Sequence, residues 1–426
     1  MDYFLNLSKK ISVSKVTIGV IGLGYVGLPL ALQFAKKKLS VIGFDLDQVK
    51  INKLKRKSSY IKHISDQRIK ETKNKTFFTN NFKFIQNVNI IILCLPTPLS
   101  PKLKPDLSYI KKTIKNIKKY LIKGQLLILE SSTYPGSTKE IIGNNLKTKF
   151  IIGENFFLGY SPEREDPNNK NYNIENIPKI CSGYSNKCLV LVVKIYKKII
   201  KKLINVSSIE TAEFTKLYEN VYRSVNIGLV NELKILSNKI GLNIYEIINA
   251  AKTKPFGFQP FYPGPGVGGH CIPVDPYYLS WVAKKNNINT NLIFNAGKIN
   301  STMPSWIIKE SLKNKKIKSA LIIGVSYKKN VDDTRESPAI DFIKILKTKK
   351  IKVDYYDPIV KTLNSRKLKK NLNSIKLDKK KLLSYDITII ITDHDNLNYN
   401  LIKKYSKIII DTRNIYKKKD KKIINL

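Results

Sequence analysis

The sequence predicts an α/β protein in which two doubly wound domains are joined by a long central helix. In the first half, short Ile- and Val-rich runs alternate with amphipathic segments, a pattern typical of buried parallel strands separated by helices. From Ser207 the pattern becomes helical, and the strand–helix alternation returns in the last third. We therefore expect domains at residues 1–206, 207–315 and 316–426.

The expected strands are short apolar runs rich in β-branched residues. They are Val16–Ile21, Val41–Asp45, Ile90–Leu95 and Leu126–Glu130 in the first domain, and Ala320–Val325, Val353–Tyr356, Ile387–Thr392 and Ile408–Asp411 in the last. The pattern Ser207-x-x-Glu210 predicts a capping box that opens a helix running to about Ile240. A Gly/Pro-rich loop at 255–276 precedes further helix to about Lys315, and the Lys-rich tail from Lys417 is expected to be frayed.

The net charge of +45 raises the question of nucleic-acid binding. Lysines are spread along the whole chain, whereas arginine, the better reader of phosphates and bases, is scarce. This distribution indicates compositional drift more than a selected basic surface, so we expect no specific nucleic-acid partner. Weak, salt-sensitive association with polyanions remains compatible with such a surface.

Composition also bears on compartment and metal binding. No run approaches the ~20 apolar residues of a membrane span, and residues 1–15 lack the pattern of a signal peptide, so we expect a cytoplasmic protein without a membrane partner. The four cysteines form no CxxC pair and there are only three histidines, so we expect no metal site. The residues interpreted as structural or inert are Cys94, Cys181, Cys188, His63 and His394.

A glycine motif follows the first strand and opens the first helix. The sequence Gly22-Leu-Gly24-Tyr-Val-Gly27 fits GxGxxG, which in this context is typical of a Rossmann-like dinucleotide site, although a ligand-free glycine turn is the alternative. Asp45 would accept hydrogen bonds from the adenosine ribose and repel a 2′-phosphate, which favours NAD over NADP. The expected cofactor contacts here are Gly22, Gly24, Tyr25, Val26, Gly27 and Asp45.

Two further segments follow buried strands at the carboxyl edge of the expected sheet, where such folds bind ligands. They are Cys94-Leu-Pro96-Thr97-Pro98 and Glu130-Ser-Ser-Thr133-Tyr-Pro-Gly136. Either lines the nicotinamide end of the site or is a simple Pro-rich turn. We include Thr97 and Thr133 among the cofactor contacts.

The most informative segment is Pro263-Gly-Pro-Gly-Val-Gly-Gly-His-Cys271-Ile-Pro-Val-Asp275. Glycines let a ligand approach the backbone, and prolines limit the entropy lost when a loop is ordered. A lone cysteine is usually buried and inert, but this loop presents Cys271 for nucleophilic attack. Asp275 is placed to orient or deprotonate a water.

Lys216, Asn220 and Arg223 lie on one face of the central helix because they are four and three residues apart. This face is either a solvated charged stripe or an anion- and oxyanion-binding face. Two more of the scarce arginines, Arg164 and Arg335, lie in the motifs Glu163-Arg-Glu165 and Asp333-Thr-Arg-Glu-Ser-Pro338. A guanidinium retained in a lysine-rich chain suggests a geometric requirement.

Together these motifs resemble the UDP-glucose/GDP-mannose dehydrogenase family from about Ile18 to Tyr416. The segments that carry a closer similarity to members acting on UDP-N-acetylglucosamine are Gly159–Pro167, Lys254–Gly266 and Tyr327–Pro338. The resemblance implies a four-electron oxidation at C6 with two NAD, for polysaccharide biosynthesis. It also implies a homodimer formed through the central helix and a C-terminal domain that closes over UDP.

The resemblance also implies residue roles. Cys271 would capture the aldehyde as a thiohemiacetal and carry the later thioester. Lys216 and Asn220 would stabilise the oxyanion, Asp275 and Thr133 would position water, and Glu163 would assist hydrolysis. Arg335 would reach the NAD. The residues expected at the UDP-sugar are Arg164, Glu165, Lys216, Asn220, Arg223, Gly268, Tyr327 and Lys328.

Two departures bear on the substrate. UDP-glucose dehydrogenases carry a second glutamate where this chain has Pro167, and mannosamine-type relatives carry basic residues where the loop at 255–258 is apolar. The first disfavours UDP-glucose as the substrate, and the second favours N-acetylglucosamine over N-acetylmannosamine. UDP-glucose, UDP-ManNAc and UDP-GalNAc stay open as alternatives. A simple two-electron dehydrogenase would not need the cysteine loop, and a binding protein that lost its chemistry would not need Lys216, Asn220, Cys271 and Asp275 together.

Overall fold

The computed structural model describes residues 2–62, 64–165, 171–269, 272–365, 367–368, 370–418 and 420–426. The interpretations that fall on His63, Pro167 and Cys271 lie outside these residues. The chain divides into two compact units, Met1–Glu219 and Asn220–Leu426, called unit 1 and unit 2 below. No helix among the described residues is both long and apolar enough to cross a membrane.

The described residues of unit 1 form an eight-stranded sheet with helices packed on it. Its strands are β1 (Thr17–Ile21), β2 (Ser40–Phe44), β3 (Thr76–Thr79), β4 (Ile90–Leu93), β5 (Leu126–Leu129), β6 (Phe157–Tyr160), β7 (Lys179–Gly183) and β8 (Leu203–Asn205). Its helices are α1 (Tyr3–Ser12), α2 (Gly27–Lys36), α3 (Gln48–Lys55), α4 (Asp66–Glu71), α5 (Ser108–Ile117), α6 (Asn144–Leu146) and α7 (Asn186–Tyr196). Short 3₁₀ segments lie at Phe82–Asn87 and Lys118–Tyr120, and a π-helical turn lies at Thr138–Gly143.

The strand order of this sheet is β3-β2-β1-β4-β5-β6-β7-β8, and every neighbouring pair is parallel except β6 with β7. The order reverses between β1 and β4, which places the glycine turn after β1 at the topological switch point of a doubly wound sheet. The apolar strands are buried on both faces, since Ile18 and Ile90 on one face and Ile91 and Leu127 on the other are fully covered. The fold predicted for this half of the chain is confirmed.

A single long helix, α8, runs from Ile209 to Lys239. Its N-terminus differs from the prediction, because the Oγ of Ser208, not of Ser207, accepts a hydrogen bond from Thr211 N–H at 3.0 Å. The helix therefore begins one residue later than the expected capping box requires. Glu210 pairs instead with Lys139 at 2.9 Å, so the capping-box prediction was wrong while the helix itself is confirmed.

The described residues of unit 2 form a second, five-stranded parallel sheet in the order β10-β9-β13-β14-β15. Its strands are β9 (Ser319–Ile323), β10 (Lys352–Tyr356), β13 (Ile387–Ile390), β14 (Ile409–Asp411) and β15 (Ile423–Asn425), with a separate pair of β11 (Thr362–Leu363) and β12 (Leu372–Asn373). The helices are α9 (Ile244–Ala251), α10 (Asp275–Lys285), α11 (Asn291–Leu312), α12 (Pro338–Thr348), α13 (Lys379–Ser384) and α14 (Tyr399–Tyr405). The four strands predicted here are confirmed, and two of them, β9 and β13, end two residues earlier than expected.

The C-terminal tail is ordered into the sheet, contrary to the prediction that it frays from Lys417. Strand β15 pairs in parallel with β14, with Ile423 opposite Ile409, and Leu426 is buried. The lysines of the tail suggested a solvated segment. The apolar residues that follow them extend the sheet, and this outweighs the entropy of a free terminus.

The turn after β9 repeats the geometry of the turn after β1. Gly324 and Gly22 both have positive φ, +79° and +93°, and each follows the first strand of its sheet. Val325 N–H donates to the carboxylate of Asp357 at 2.7 Å, and His394 Nε2 lies 3.1 Å from the same carboxylate. His394 is fully buried, so its interpretation as a structural histidine fits this position.

Candidate active site

The turn after β1 is built on two glycines that the protein itself requires. A Cβ on Gly22 would lie 2.3 Å from the carbonyl oxygen of Cys94, and a Cβ on Gly27 would lie 1.9 Å from the carbonyl oxygen of Gly22. Contacts this short are not tolerated, so any side chain at either position would displace the backbone. The tight turn and the close packing of α2 on β1 therefore depend on both residues.

Gly24 differs, because a Cβ added there would meet no atom within 4 Å. Nothing in the fold of the turn requires glycine at this position, and the space beside it is open. This open space is what the motif predicts for a glycine that lets a pyrophosphate approach the backbone. Tyr25 and Val26 continue the turn and lead into α2.

Asp45 is held firmly at the end of β2. Its Oδ2 accepts from Leu23 N–H at 2.9 Å, its Oδ1 accepts from Asp47 N–H at 2.9 Å, and Lys50 Nζ lies 3.4 Å away. A carboxylate has about four acceptor positions, so Asp45 can still accept hydrogen bonds from ribose hydroxyls. The glycine turn and Asp45 together fit an NAD adenosine and pyrophosphate.

The segments after β4 and β5 are hydrogen-bonded to each other. Leu95 N–H donates to Ser131 Oγ at 2.8 Å, and Thr97 and Thr133 are both buried. Thr133 Oγ1 lies 2.6 Å from Ser137 Oγ. The carboxyl edge of the sheet thus positions Thr133 as the first member of a buried hydrogen-bonded chain.

Glu213, which the sequence analysis missed, ends that chain. Its carboxylate accepts from Gly136 N–H at 2.6 Å, from Ser137 Oγ at 3.0 Å and from both the N–H and Oγ1 of Thr138. Burial raises its pKa to about 7. Glu213 therefore fixes α8 to the Thr133 segment, one turn before Lys216, which is itself 8% exposed.

A buried carboxylate–lysine cluster, formed by Glu130, Lys179 and Glu163, lies beside the same sheet edge. Lys179 Nζ is 3.2 Å from Glu130 Oε1, 3.3 Å from Glu163 Oε2 and 3.4 Å from the Pro162 carbonyl oxygen. The Tyr196 hydroxyl donates to the same oxygen of Glu130. Every proton of the Lys179 ammonium therefore has an acceptor.

The cluster separates the pKa values of its two carboxyls. Burial raises the pKa of Glu130 to about 7. Burial would also raise the pKa of Glu163, but Lys179 and the N–H groups of Glu165 and Arg164 lower it below the ordinary value. Burial lowers the pKa of the Lys179 ammonium, yet the two carboxylates more than offset this and raise it overall. Near neutral pH, Glu163 is the ionised carboxylate of the pair.

The residues that flank Glu163 are also engaged within unit 1. Arg164 donates to the Pro178 carbonyl oxygen at 2.7 Å and forms an ion pair with Glu219 at 2.7 Å. Burial and the neighbouring Glu163 raise the pKa of Glu165 to about 7.

In unit 2, Asn220 and Asp275 meet. Asn220 Nδ2 donates to Asp275 Oδ2 at 2.5 Å, and Asp275 is 2% exposed at the first residue of α10. The sequence predicted both residues separately, and the structure brings their side chains together. Cys271, four residues before Asp275, lies outside the described residues.

The glycine loop that precedes Cys271 packs on the segment after β9. A Cβ on Gly268 would lie 2.8 Å from Tyr327 Cβ, and Gly269 N–H donates to the Arg335 carbonyl oxygen at 3.0 Å. The Arg335 guanidinium pairs with Asp333 at 2.6 Å and is about half exposed. Three predicted residues, Gly268, Tyr327 and Arg335, are thus neighbours, whereas Lys328 is half-buried and Arg223 is exposed.

Comparison with known proteins decides the family. Three domain descriptions match the chain in order: the NAD binding domain at residues 16–200, the central domain at 210–302 and the UDP binding domain at 321–418. The chain belongs to the UDP-glucose/GDP-mannose dehydrogenase family. The predicted resemblance and the use of NAD are confirmed, and so is the assignment as an NAD-dependent UDP-sugar dehydrogenase.

Relatives with different substrates have similar identities to this dehydrogenase. UDP-N-acetyl-D-glucosamine 6-dehydrogenase of Pseudomonas aeruginosa is 37% identical over 80% of this chain and 83% of its own. UDP-N-acetyl-D-mannosamine dehydrogenase of Pyrococcus horikoshii is 36% identical over 94% of this chain and 96% of its own. The solved UDP-D-ManNAc dehydrogenase from Pyrococcus horikoshii superposes with a TM-score of 0.85 at 34% identity, covering 96% of this chain and 98% of that one.

Proposed function

We propose that this dehydrogenase oxidises UDP-N-acetylglucosamine at C6 to UDP-N-acetylglucosaminuronate, with Cys271 as a covalent nucleophile. The observation that carries this proposal is the hydrogen bond between Asn220 and the buried Asp275, which lies four residues after Cys271 in sequence. An amide donor paired with a carboxylate suits both oxyanion stabilisation and water activation.

When bound, NAD would supply the hydride acceptor, with one NAD for each of two successive oxidations. Gly24 would leave room for its pyrophosphate and Asp45 would accept from its ribose. As the alcohol is oxidised to the aldehyde, the C6 hydroxyl gives its proton to water, and Lys216 and Asn220 stabilise the negative charge on the C6 oxygen. Thr97 and Arg335 complete the cofactor site.

The covalent steps take place on Cys271. Its thiolate sulfur bonds to the aldehyde carbon, which gives a thiohemiacetal with the negative charge on its oxygen. Loss of the second hydride from this anion re-forms the C=O bond and leaves a thioester. Water then attacks the thioester carbon, the cysteine leaves as thiolate, and a uronate is released. Asp275 and Thr133 position this water and Glu163 accepts its proton.

Further residues are proposed to hold the UDP-sugar, and their chemistry suits a pyrophosphate and a sugar. They are Arg164, Glu165, Arg223, Gly268, Tyr327 and Lys328. We propose the working boundaries 1–206 for cofactor binding, 207–315 for the catalytic loop and dimerisation, and 316–426 for UDP binding. The cytoplasmic location and the role in polysaccharide biosynthesis stay predictions.

The proposed choice of sugar rests on the loop at 255–258. Phe256 is 71% exposed and Phe258 is 42% exposed, and the loop carries no charged side chain of its own. An exposed apolar loop suits an acetyl methyl group. UDP-ManNAc is the second candidate, because relatives of similar identity are mannosamine dehydrogenases.

The test is the initial rate of NADH formation with UDP-GlcNAc, UDP-ManNAc, UDP-GalNAc and UDP-glucose offered separately. We expect the largest kcat/KM for UDP-GlcNAc and little activity with UDP-glucose. A preference for UDP-ManNAc would overturn the interpretation of the loop and leave the mechanism standing.

We also propose that the enzyme is a homodimer formed through α8. The helix carries a row of exposed apolar side chains at helical spacing, a pattern that favours pairing with another apolar surface. They are Phe214, Tyr218, Tyr222, Leu229, Leu233 and Leu236. We expect L233E to convert the dimer to monomer in sedimentation equilibrium, whereas K239E, beyond the row, should not; a monomeric wild type would contradict the proposal.

A further inference from the structure

The buried carboxylate–lysine cluster has a role that the family assignment does not supply. We propose that Lys179 is a positioning residue that keeps Glu163 ionised and oriented for thioester hydrolysis, and that Glu130 helps to hold the ammonium of Lys179 in place. The inference rests on the proposed function, since it concerns the residue proposed to accept the proton of the hydrolytic water.

The hydrogen bonds fix the orientation of Glu163. Its Oε1 accepts from Arg164 N–H at 2.7 Å and from Glu165 N–H at 2.6 Å, and its Oε2 faces Lys179 at 3.3 Å. Three donors from two segments leave the carboxylate little freedom to rotate. Lys179 is itself held, because it begins β7 and its ammonium also contacts the Pro162 carbonyl oxygen.

Exposure distinguishes the two carboxylates. The Glu163 side chain is 17% exposed, whereas that of Glu130 is fully buried and that of Lys179 is 5% exposed. A small cleft is lined by Glu163, Arg164, Pro178 and Lys179. Glu163 is therefore the carboxylate that water can reach, and Glu130 acts only through Lys179.

The charges of the cluster do not cancel when both carboxyls are ionised. One ammonium faces two carboxylates, and Glu130 Oε2 has no hydrogen-bond partner among the described residues. Other titratable groups near Glu130 are Tyr196, Cys94 and Cys181, and those near Glu163 are Glu165, Arg164 and Lys216. Lys179, unlike these groups, contacts both carboxylates, so its positive charge is shared between them when both are ionised.

The two carboxyls predict different effects for two substitutions. Lys179→Met removes the cation beside Glu163, so hydrolysis should lose its ionised base at a higher pH than in the wild type. Glu130→Gln should leave that pH unchanged, because Glu130, whose pKa is raised to about 7, is already protonated in the acid range where Glu163 titrates. If Lys179 served stability alone, neither substitution would move the pH profile.

The experiment follows NADH formation by the full-length enzyme from UDP-GlcNAc and NAD across pH, with burst and steady-state phases resolved. In K179M we expect the midpoint of the acid limb of the steady-state rate to move to a pH higher by about one unit or more. The burst of NADH should be retained, and an acyl-enzyme should be visible by intact-protein mass. In E130Q we expect the acid limb to coincide with that of the wild type, because Glu130 is already neutral in this pH range. K179R should restore the wild-type limb, and K202M serves as the control because Lys202 is exposed.

The outcomes separate the two claims. Acid limbs that coincide in wild type and K179M, or a K179M burst reduced as much as its steady state at every pH, would overturn the role of Lys179. If K179M does not fold, the double variant E130Q/K179M, which buries one charge fewer, should still show a higher limb than E130Q; equal limbs would overturn the inference. Absence of NADH from the wild type with every UDP-sugar would overturn the proposed function and the inference with it.

Discussion

Asn220 and Asp275 form a direct hydrogen bond between the central helix α8 and the first residue of α10. The amide donates and the carboxylate accepts, which fixes the orientation of both groups. Asp275 is 2% exposed, so little competing water surrounds this pair. The pair thus gives a defined direction to a carboxylate proposed to position the hydrolytic water.

We predict that Asp275→Asn leaves the hydride transfers largely intact and slows thioester hydrolysis by roughly 10²-fold. An asparagine keeps an acceptor for Asn220 but lacks the charged oxygen that positions the water for proton transfer to Glu163. Stopped-flow measurement of NADH should show a normal burst followed by a slow steady state. Equal loss of both phases would contradict the assignment of Asp275 to hydrolysis.

The covalent role of Cys271 is tested by Cys271→Ala. Without a thiolate no thioester forms, so net uronate formation should fall below detection while NAD binding is retained. Cys188→Ala, which removes a fully buried thiol from α7, is the matched control and should keep most activity. Uronate production by C271A at the wild-type rate would exclude covalent catalysis by this residue.

The glycine turn permits a test that separates folding from cofactor binding. Gly24→Ala should leave the free energy of unfolding unchanged or raise it by up to about 1 kcal/mol, because its Cβ meets nothing within 4 Å. We expect the Kd for NAD to rise about tenfold or more, which corresponds to a loss of roughly 1.4 kcal/mol of binding free energy. Isothermal titration with NAD and thermal unfolding measure the two effects.

Gly22→Ala is the counterpart of that variant. A Cβ at Gly22 would lie 2.3 Å from a backbone oxygen and its φ is +93°, so this change should destabilise the fold. If G22A were as stable as G24A, or if G24A bound NAD as tightly as the wild type, the account of the turn would be wrong.

Glu130 should leave a signature in the pH dependence of stability. Its pKa is raised by burial to about 7, above the value of 4.5 for an exposed glutamate. The folded state therefore binds the proton more tightly, and this residue contributes stability that is present below about pH 4.5 and lost as pH rises through about 7. Glu130→Gln should remove a dependence on the order of 1–3 kcal/mol from this window.

Denaturant unfolding at several pH values between about 4.5 and 8 measures that dependence. E154Q is a suitable control, because Glu154 is exposed and its substitution should leave the slope unchanged. Parallel stability curves for wild type and E130Q would show that Glu130 does not titrate in this window.

The architecture was predictable because it depends on local signals. Buried parallel strands appear as runs such as Ile90–Leu93, and a tight turn with close helix packing demands glycine at positions 22 and 27. Where two local signals competed, prediction failed. Ser207 and Ser208 are adjacent and either can cap a helix, and the lysines of the tail masked the apolar residues that form β15.

The buried polar groups were not predictable from local patterns. Tyr196 and Glu130 are 66 residues apart in sequence, and Lys179 resembles the many surface lysines of this chain. One signal was available: Lys179 begins a strand whose next residues, Ile180 and Cys181, are apolar and buried. Glu213, one turn before the recognised Lys216, was missed because its hydrogen-bond partners Gly136, Ser137 and Thr138 lie far from it in sequence.

The most direct test of the central claim is the stoichiometry of the complete reaction. Limiting UDP-GlcNAc is incubated with excess NAD and purified enzyme, and NADH and uronate are counted at the end point. The account predicts two NADH and one UDP-N-acetylglucosaminuronate per sugar consumed, with no free aldehyde. One NADH per sugar with an aldehyde product, or no NADH from folded protein that binds NAD, would contradict it.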